Sequence, residues 1–201
     1  MKERGSSGDL DRRIARRVRE LRAELGLTLD QLAARSGVSR SMISVVERGE
    51  SSPTASLLDK LAAGLGATLN ALFEAPRDRT PPAPLVRRAA QPEWRDPESG
   101  YLRRALSPPG YPSMLQLVEV SFPAGARVSY DAAVERAGVH QQVWVIEGAI
   151  VVSVGDRRHQ LAKGDCLALT LDQPVTFRNP TRRRARYLVA LASATGSRSS
   201  S

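Results

Sequence analysis

The stretch Thr28-Leu-Asp-Gln-Leu-Ala-Ala-Arg-Ser-Gly-Val-Ser-Arg-Ser-Met-Ile-Ser-Val-Val-Glu-Arg-Gly-Glu50 decides the fold of the first third of the chain. Thr28 and Gln31 have the spacing of a capping box, in which the Thr28 hydroxyl accepts from the Gln31 N–H and the Gln31 side chain reaches back to Thr28. That box starts a short helix, with Leu32 and Ala33 facing inward. Gly37 supplies a turn that few other residues adopt, Val38 plugs the core, and Ser39 caps the next helix. Within 39–47, Ile43 and Val46 fall on the face to be buried, while Arg40, Ser41, Ser44 and Val45 fall on the other.

Working outward, the apolar residues Leu10, Ile14, Val18, Leu21 and Leu25 recur in steps of three and four, the stripe of an amphipathic helix that Gly26 ends. Helical patterns follow at 29–35, 40–47, 55–65 and 69–73, so the expectation is an all-α, five-helix domain over 10–74. Pro76, Pro81, Pro82 and Pro84 among charged residues then read as a semi-extended linker over 75–100. From Tyr101 onward the chain turns to short runs rich in Val, Leu and aromatic residues at 114–122, 142–154, 166–171, 174–179 and 185–192, separated by Pro, Gly and Asp. Strands at this spacing predict an all-β sandwich or barrel over 101–192. The Gly/Ser-rich ends, 1–9 and 193–201, are expected to be disordered.

Helix, short Gly-containing turn, helix is the helix-turn-helix geometry, whose second helix reads bases in the major groove from its N-terminal residues. Arg40, Ser41 and Ser44 are the candidate groove contacts. Arg40 is able to pair in bidentate fashion with guanine, and Ser44 would meet either a base or a phosphate. Ser39, Val45 and Arg48 complete the candidate DNA-binding set on this helix. A formal charge of +9 over 201 residues favours a polyanionic partner. The first helix contributes Arg12, Arg13, Arg16, Arg17, Arg19 and Arg22.

The ordered set from Thr28 to Phe73 (capped helix, LA, GVS, then I-S-x-x-E-x-G, a Pro, L-x-K-L-A and a terminal L-x-x-L-F) resembles the phage-repressor (Xre-like) helix-turn-helix family of transcription regulators. The resemblance implies that Gln31 touches the DNA backbone, that Arg40, Ser41 and Ser44 face the groove, and that Glu47 and Gly49 are structural. The partner it implies is double-stranded operator DNA.

Downstream, Val143-Trp-Val-Ile-Glu-Gly148, the following Ile150 to Val154, and Leu161-Ala-Lys-Gly-Asp165 resemble the cupin, or double-stranded β-helix, barrel, and 164–179 echoes its second motif through Asn179. Cupin metalloenzymes carry two His and a Glu before the E-G turn and a third His on a later strand. Here the Glu position falls on Gln141 and the last His position on Val175. The other two fall on Glu135 and Ala137, or on Val134 and Arg136. No expected ligand is present, and His140 is one residue off the track. We therefore expect no metal, no other cofactor and no catalytic residues. Cys166 has no His at a useful spacing and reads as a small buried strand residue.

What remains is either a filled core used for dimerisation or a pocket for a small-molecule effector, lined by Gln141, Val143, Trp144 and Val175. Strand alternation puts Gln141, Val143 and Val145 on one face and Gln142, Trp144 and Ile146 on the other, so Trp144 lies either in the pocket or on an outer, dimer-forming face. The expectation is a homodimeric, sequence-specific DNA-binding regulator. Two alternatives are a metal-dependent cupin enzyme with a DNA-binding head and an antitoxin-like interaction protein. No stretch approaches the ~20 apolar residues that span a bilayer. One cysteine fits a reducing compartment, so a cytoplasmic location without membrane attachment is expected.

Overall fold

The computed structural model describes residues 4–73, 82–131 and 139–193. Its helical head contains α1 (Arg4–Glu24), α2 (Leu29–Ser36), α3 (Arg40–Glu47) and α4 (Ala55–Gly64), followed by a 3-10 turn over Leu69–Phe73. The capping box forms as its spacing dictates: Gln31 N donates to Thr28 Oγ1 at 3.1 Å and Thr28 N to Gln31 Oε1 at 2.8 Å. Gly37 closes α2 in the left-handed region at φ 67°, its N–H donating to Ala33 O. Ser39 Oγ then accepts from Met42 N and starts α3. Leu10, Ile14, Val18, Leu32, Ile43, Val46, Leu58 and Leu61 form the core of the head.

Three features differ from the pattern read in the sequence. The fifth helix is a 3-10 turn, because five residues after Thr68 close i→i+3 bonds but have no length to propagate an α-helix. α1 opens at Arg4 instead of Leu10, since extending an anchored helix into a polar segment costs little once its nucleus exists. Leu25 is 48% exposed, because α1 closes at Glu24 and Gly26, at φ 65°, reverses the chain.

Among the described residues, ten antiparallel strands form the second unit: β1 (Glu93–Arg95), β2 (Leu102–Ala105), β3 (Leu115–Phe122), β4 (Arg127–Tyr130), β5 (Val139–Glu147), β6 (Ala149–Val154), β7 (Arg157–Ala162), β8 (Cys166–Thr170), β9 (Val175–Arg178) and β10 (Ala185–Ser193). The sheet orders are β1-β2-β3-β10-β5-β8 and β4-β9-β6-β7. The last eight strands divide equally between the two sheets, β3, β5, β8 and β10 in one and β4, β6, β7 and β9 in the other, as in a double-stranded β-helix, so the fold is an all-α head followed by a cupin-like barrel. Gly148 turns β5 into β6 at φ 76°, where a Cβ would sit 3.1 Å from the Ala185 backbone. Asn179 is fully buried and latches the barrel, its Nδ2 donating to the carbonyls of Phe122 and Arg183. His159 lies on β7 opposite Val152, and Cys166 is exposed at the start of β8, not buried.

The segment read as a linker over 75–100 is structured where it is described. β1 joins the six-stranded sheet through β2. Trp94 is 2% exposed, with its ring centroid 5.4 Å from Phe73 in the head and 5.8 Å from Tyr101 in the barrel. Asp96 Oδ1 accepts from the Ala55 N–H at 2.8 Å, so an acceptor next to the barrel caps α4 alongside Thr54. Burying Trp94 outweighs the extended preference of the neighbouring prolines. Head and barrel therefore share one core.

Within the head, α2 and α4 cross so closely that a Cβ on Gly64 would lie 2.7 Å from Ser36 Cβ. Gly64→Ala is expected to lose about 1 to 2 kcal/mol in a urea titration, although alanine is the better helix former, because overpacking outweighs propensity at this crossing.

Candidate nucleic-acid interface and barrel cavity

The outward face of α3 presents Ser39, Arg40, Ser41 and Arg48 to solvent, with Ser44 and Val45 half-buried beside them; Gln31 is exposed at the start of α2. Ile43 and Val46 pin the opposite face, at 0% and 1% exposure. The helix is held in place by Glu47, whose carboxylate takes Arg22 Nε at 2.6 Å and Arg22 Nη2 at 2.8 Å. Arg22 also donates to Leu27 O at 2.7 Å. The hydrogen bond to Glu47 raises the Arg22 pKa against the lowering effect of burial. Arg22 is therefore a structural pin and not part of a phosphate-binding surface. Arg16 and Arg17 pair with Glu20, and Arg17 also with Glu24, so α1 neutralises part of its own positive charge.

Two candidate contacts carry partners of their own. Arg40 Nε lies 3.4 Å from Asp30 Oδ1, with both side chains largely exposed, an arrangement that holds the arginine weakly. Arg48 makes a two-pronged bond to Glu50, 2.7 Å in each arm, and also donates to Ser44 Oγ. The hydrogen bond with Glu50 raises the Arg48 pKa and lowers that of Glu50. DNA contact by Arg48 has to displace that carboxylate. Gln31 spends its carbonyl on the capping box, which leaves its amide NH2 as the group to offer a phosphate.

Sequence reasoning missed Met42, 41% exposed in the first turn of α3. Its place between Ser41 and Ile43, one step off the buried stripe, was the available signal. An apolar group there suits the methyl of thymine.

In the barrel, a cavity of about 60 Å³ is bordered by Gln141 and Val175 as expected, but not by Val143 or Trp144. Val143 is fully buried on the inner face. Trp144 is on the outer face of the six-stranded sheet, 48% exposed, with its indole N–H donating to Gly164 O at 3.2 Å. The alternation of β5 is thus resolved with Gln141, Val143 and Val145 inward and His140, Gln142 and Trp144 outward.

The rest of the wall comes from residues no motif pointed to. Tyr101, Tyr130 and Tyr187 border the cavity, with the Tyr101 and Tyr130 hydroxyls 3.2 Å apart. Burial pushes all three phenols above the ordinary tyrosine value, Tyr130 and Tyr187 well above it, while the charge of Arg103 pulls the other way. They are neutral hydroxyls at physiological pH. Arg103, itself buried, borders the cavity with its guanidinium 5.3 Å from the Phe73 ring centre. Asp59 of α4 and Thr68, Leu69 and Asn70 of the following turn close the cavity from the head.

The cupin barrel raises the question of a metal, and these residues do not fit one. Gln141 and Val175 occupy two of the ligand positions, a guanidinium borders the space, and His140 points outward. Among the described residues no three His, Cys, Asp or Glu converge. Val134, Glu135, Arg136 and Ala137 lie outside the described residues.

A capped, pinned helix presenting arginine and serine, set on a head fused to a cupin-like barrel, defines the class of two-unit DNA-binding regulators. The helix-turn-helix family HTH_3 matches residues 18–72. The transcriptional regulator SutR of Escherichia coli is 27% identical over 171 residues, spanning 85% of this chain and 89% of that protein. A regulator of Sinorhizobium fredii, y4dJ, is 38% identical over 73 residues, 36% of this chain and 94% of its own length. The crystal structure of an HTH_3 family transcriptional regulator from Vibrio cholerae superposes with a TM-score of 0.73 at 28% identity, covering 92% of this chain and 97% of that one. The chain belongs to the HTH_3 helix-turn-helix family of DNA-binding transcriptional regulators. Among the described residues no helix is long and apolar enough to cross a membrane.

Proposed function

We propose that the chain acts in the cytoplasm as a homodimeric, sequence-specific regulator. Its α3 helices enter successive major grooves of an operator, and its barrel binds a small effector without catalysing a reaction. The observation that carries this reading is the outward face of α3, where Arg40 and Ser41 stand free of the core on a helix capped by Ser39 and fixed through Arg22–Glu47. Arg40, Ser41 and Ser44 read bases, with Met42 and Val45 as apolar neighbours, and Gln31, Ser39 and Arg48 meet the backbone. Half-sites then lie about 34 Å apart. A fluorescence-anisotropy titration against the DNA upstream of its own operon tests this. Binding is expected to weaken steeply with salt and to discriminate against scrambled DNA, and the absence of both overturns the reading.

The outer face of the six-stranded sheet supports the dimer. By register, Trp144 of β5, Leu188 and Ala190 of β10 and Leu117 of β3 share that face, with Leu115 exposed at its end. An arginine in place of Trp144 puts a charge into any contact made there. Trp144→Arg is expected to convert the dimer to a monomer in light scattering and to weaken operator binding by about tenfold or more, through loss of the second head. A dimer unchanged by this substitution moves the interface elsewhere.

A further inference from the structure

The cavity holds more polar chemistry than a packed core uses. Asn70, 8% exposed, borders it from the head, and both its Oδ1 and its Nδ2 are buried without a hydrogen-bond partner among the described residues. A buried amide with donor and acceptor both unsatisfied is costly, and such groups in native folds call for an explanation. Across the same space, Gln141 is 7% exposed, and the hydroxyls of Tyr101, Tyr130 and Tyr187 lie within the field of Arg103.

We propose that this cavity binds a small hydroxy-monocarboxylate, seated in the joint between barrel and head; the proposal rests on the effector-binding role of the barrel given above. The guanidinium of Arg103 and neutral phenol O–H donors complement a carboxylate, which accepts charge-assisted hydrogen bonds. Asn70 offers one acceptor and one donor group, and a ligand hydroxyl satisfies both by donating to Oδ1 and accepting from Nδ2. Asp59, which borders the cavity from α4 and has interactions of its own, repels a second carboxylate. The volume of about 60 Å³ is room for about four or five waters, which sets the size at two to four carbons. A ligand held by Asn70 of the head and Arg103 of the barrel touches both units, so its occupancy reports directly on the seating of the head.

The test uses the full-length protein, with calorimetry and thermal melting in the presence of glycolate, each enantiomer of lactate, and 3-hydroxybutyrate, and operator affinity measured on the same samples. At least one hydroxy acid is expected to bind with one site per chain and, near saturation, to raise the melting midpoint by about 5 °C. Propionate, lacking the hydroxyl, is expected to bind at least about tenfold more weakly. Glycerol, lacking the carboxylate, and succinate, carrying a second one, are expected not to bind. Asn70→Leu removes the unsatisfied amide at similar volume; it raises the midpoint of the free protein and removes the ligand-induced shift. Tyr130→Phe, which leaves the ring packing in place, weakens the hydroxy acid about fivefold or more. Failure of all the hydroxy acids to bind up to millimolar concentration overturns the proposal, as does binding that is indifferent to both substitutions. Operator binding that persists in either case leaves the DNA-binding reading standing, whereas lost operator binding with ligand binding intact removes that reading alone.

Discussion

Arg40→Ala lowers affinity for the operator by about 10- to 100-fold per recognition helix while changing affinity for scrambled DNA far less. The asymmetry follows from where the side chain stands. It leaves the first turn of α3, the end of the helix proposed to enter the groove, and its contact with Asp30 is a single 3.4 Å approach between exposed groups, worth little in water and readily given up. In the proposed complex a bidentate pair with guanine would replace it and be lost entirely on truncation. Arg48 provides the contrast, since its two-pronged bond to Glu50 competes with any contact it makes to DNA. Arg48→Ala is expected to weaken operator and scrambled DNA alike, by less, and to reduce the salt slope by about one. Anisotropy titrations of both variants on both sequences at two salt concentrations separate these roles. An equal loss on both sequences for Arg40→Ala reassigns it to the phosphate backbone.

Glu47→Ala costs about 3 kcal/mol in a denaturant titration, the range expected when one partner of a largely buried ion pair is removed and the other is left without a counter-charge. Arg22 then loses both arms of its bond to Glu47 and keeps only Leu27 O, while α3 loses its tie to α1. Glu47→Gln retains one acceptor and is expected to lose about half as much. Operator affinity falls along with stability in the alanine variant, because the same pair sets the angle at which Arg40 and Ser41 are presented. A Glu47→Ala protein of unchanged stability would show that the hydrophobic contacts of Ile43 and Val46 hold α3 unaided.

The head was legible because its signals are local. Thr28 with Gln31, Gly37 and Ser39 each act within four residues, and each forms the bond its spacing implies. The strands were legible as apolar runs, but not the faces they bury: a period of two says that Gln141 and Trp144 point oppositely, not which of them points inward. The joint was not legible at all. It depends on Ala55 meeting Asp96 and Phe73 meeting Trp94, pairs far enough apart in sequence that neither residue marks the other. The prolines at 76, 81, 82 and 84 suggested an extended tether running to residue 100, and only the paired strand and the buried ring show that Trp94 is not part of one. Asn70 escaped notice for a similar reason, since an asparagine in a short turn is ordinary until the space in front of it is known.

The rings running from Phe73 through Trp94, Tyr101, Phe122, Tyr187 and Phe177 to Tyr130 form a continuous series of contacts at 5.4 to 6.2 Å, from the end of the helical head to the cavity wall. One of them is an indole, and the only other tryptophan in the chain is the exposed Trp144. With Trp144 changed to phenylalanine, the protein carries a single tryptophan, at the seam between its two units and in direct ring contact with Tyr101 of the cavity wall. Its emission then provides an intrinsic optical readout of whether the seam moves when the barrel fills or the head meets DNA, with no label attached.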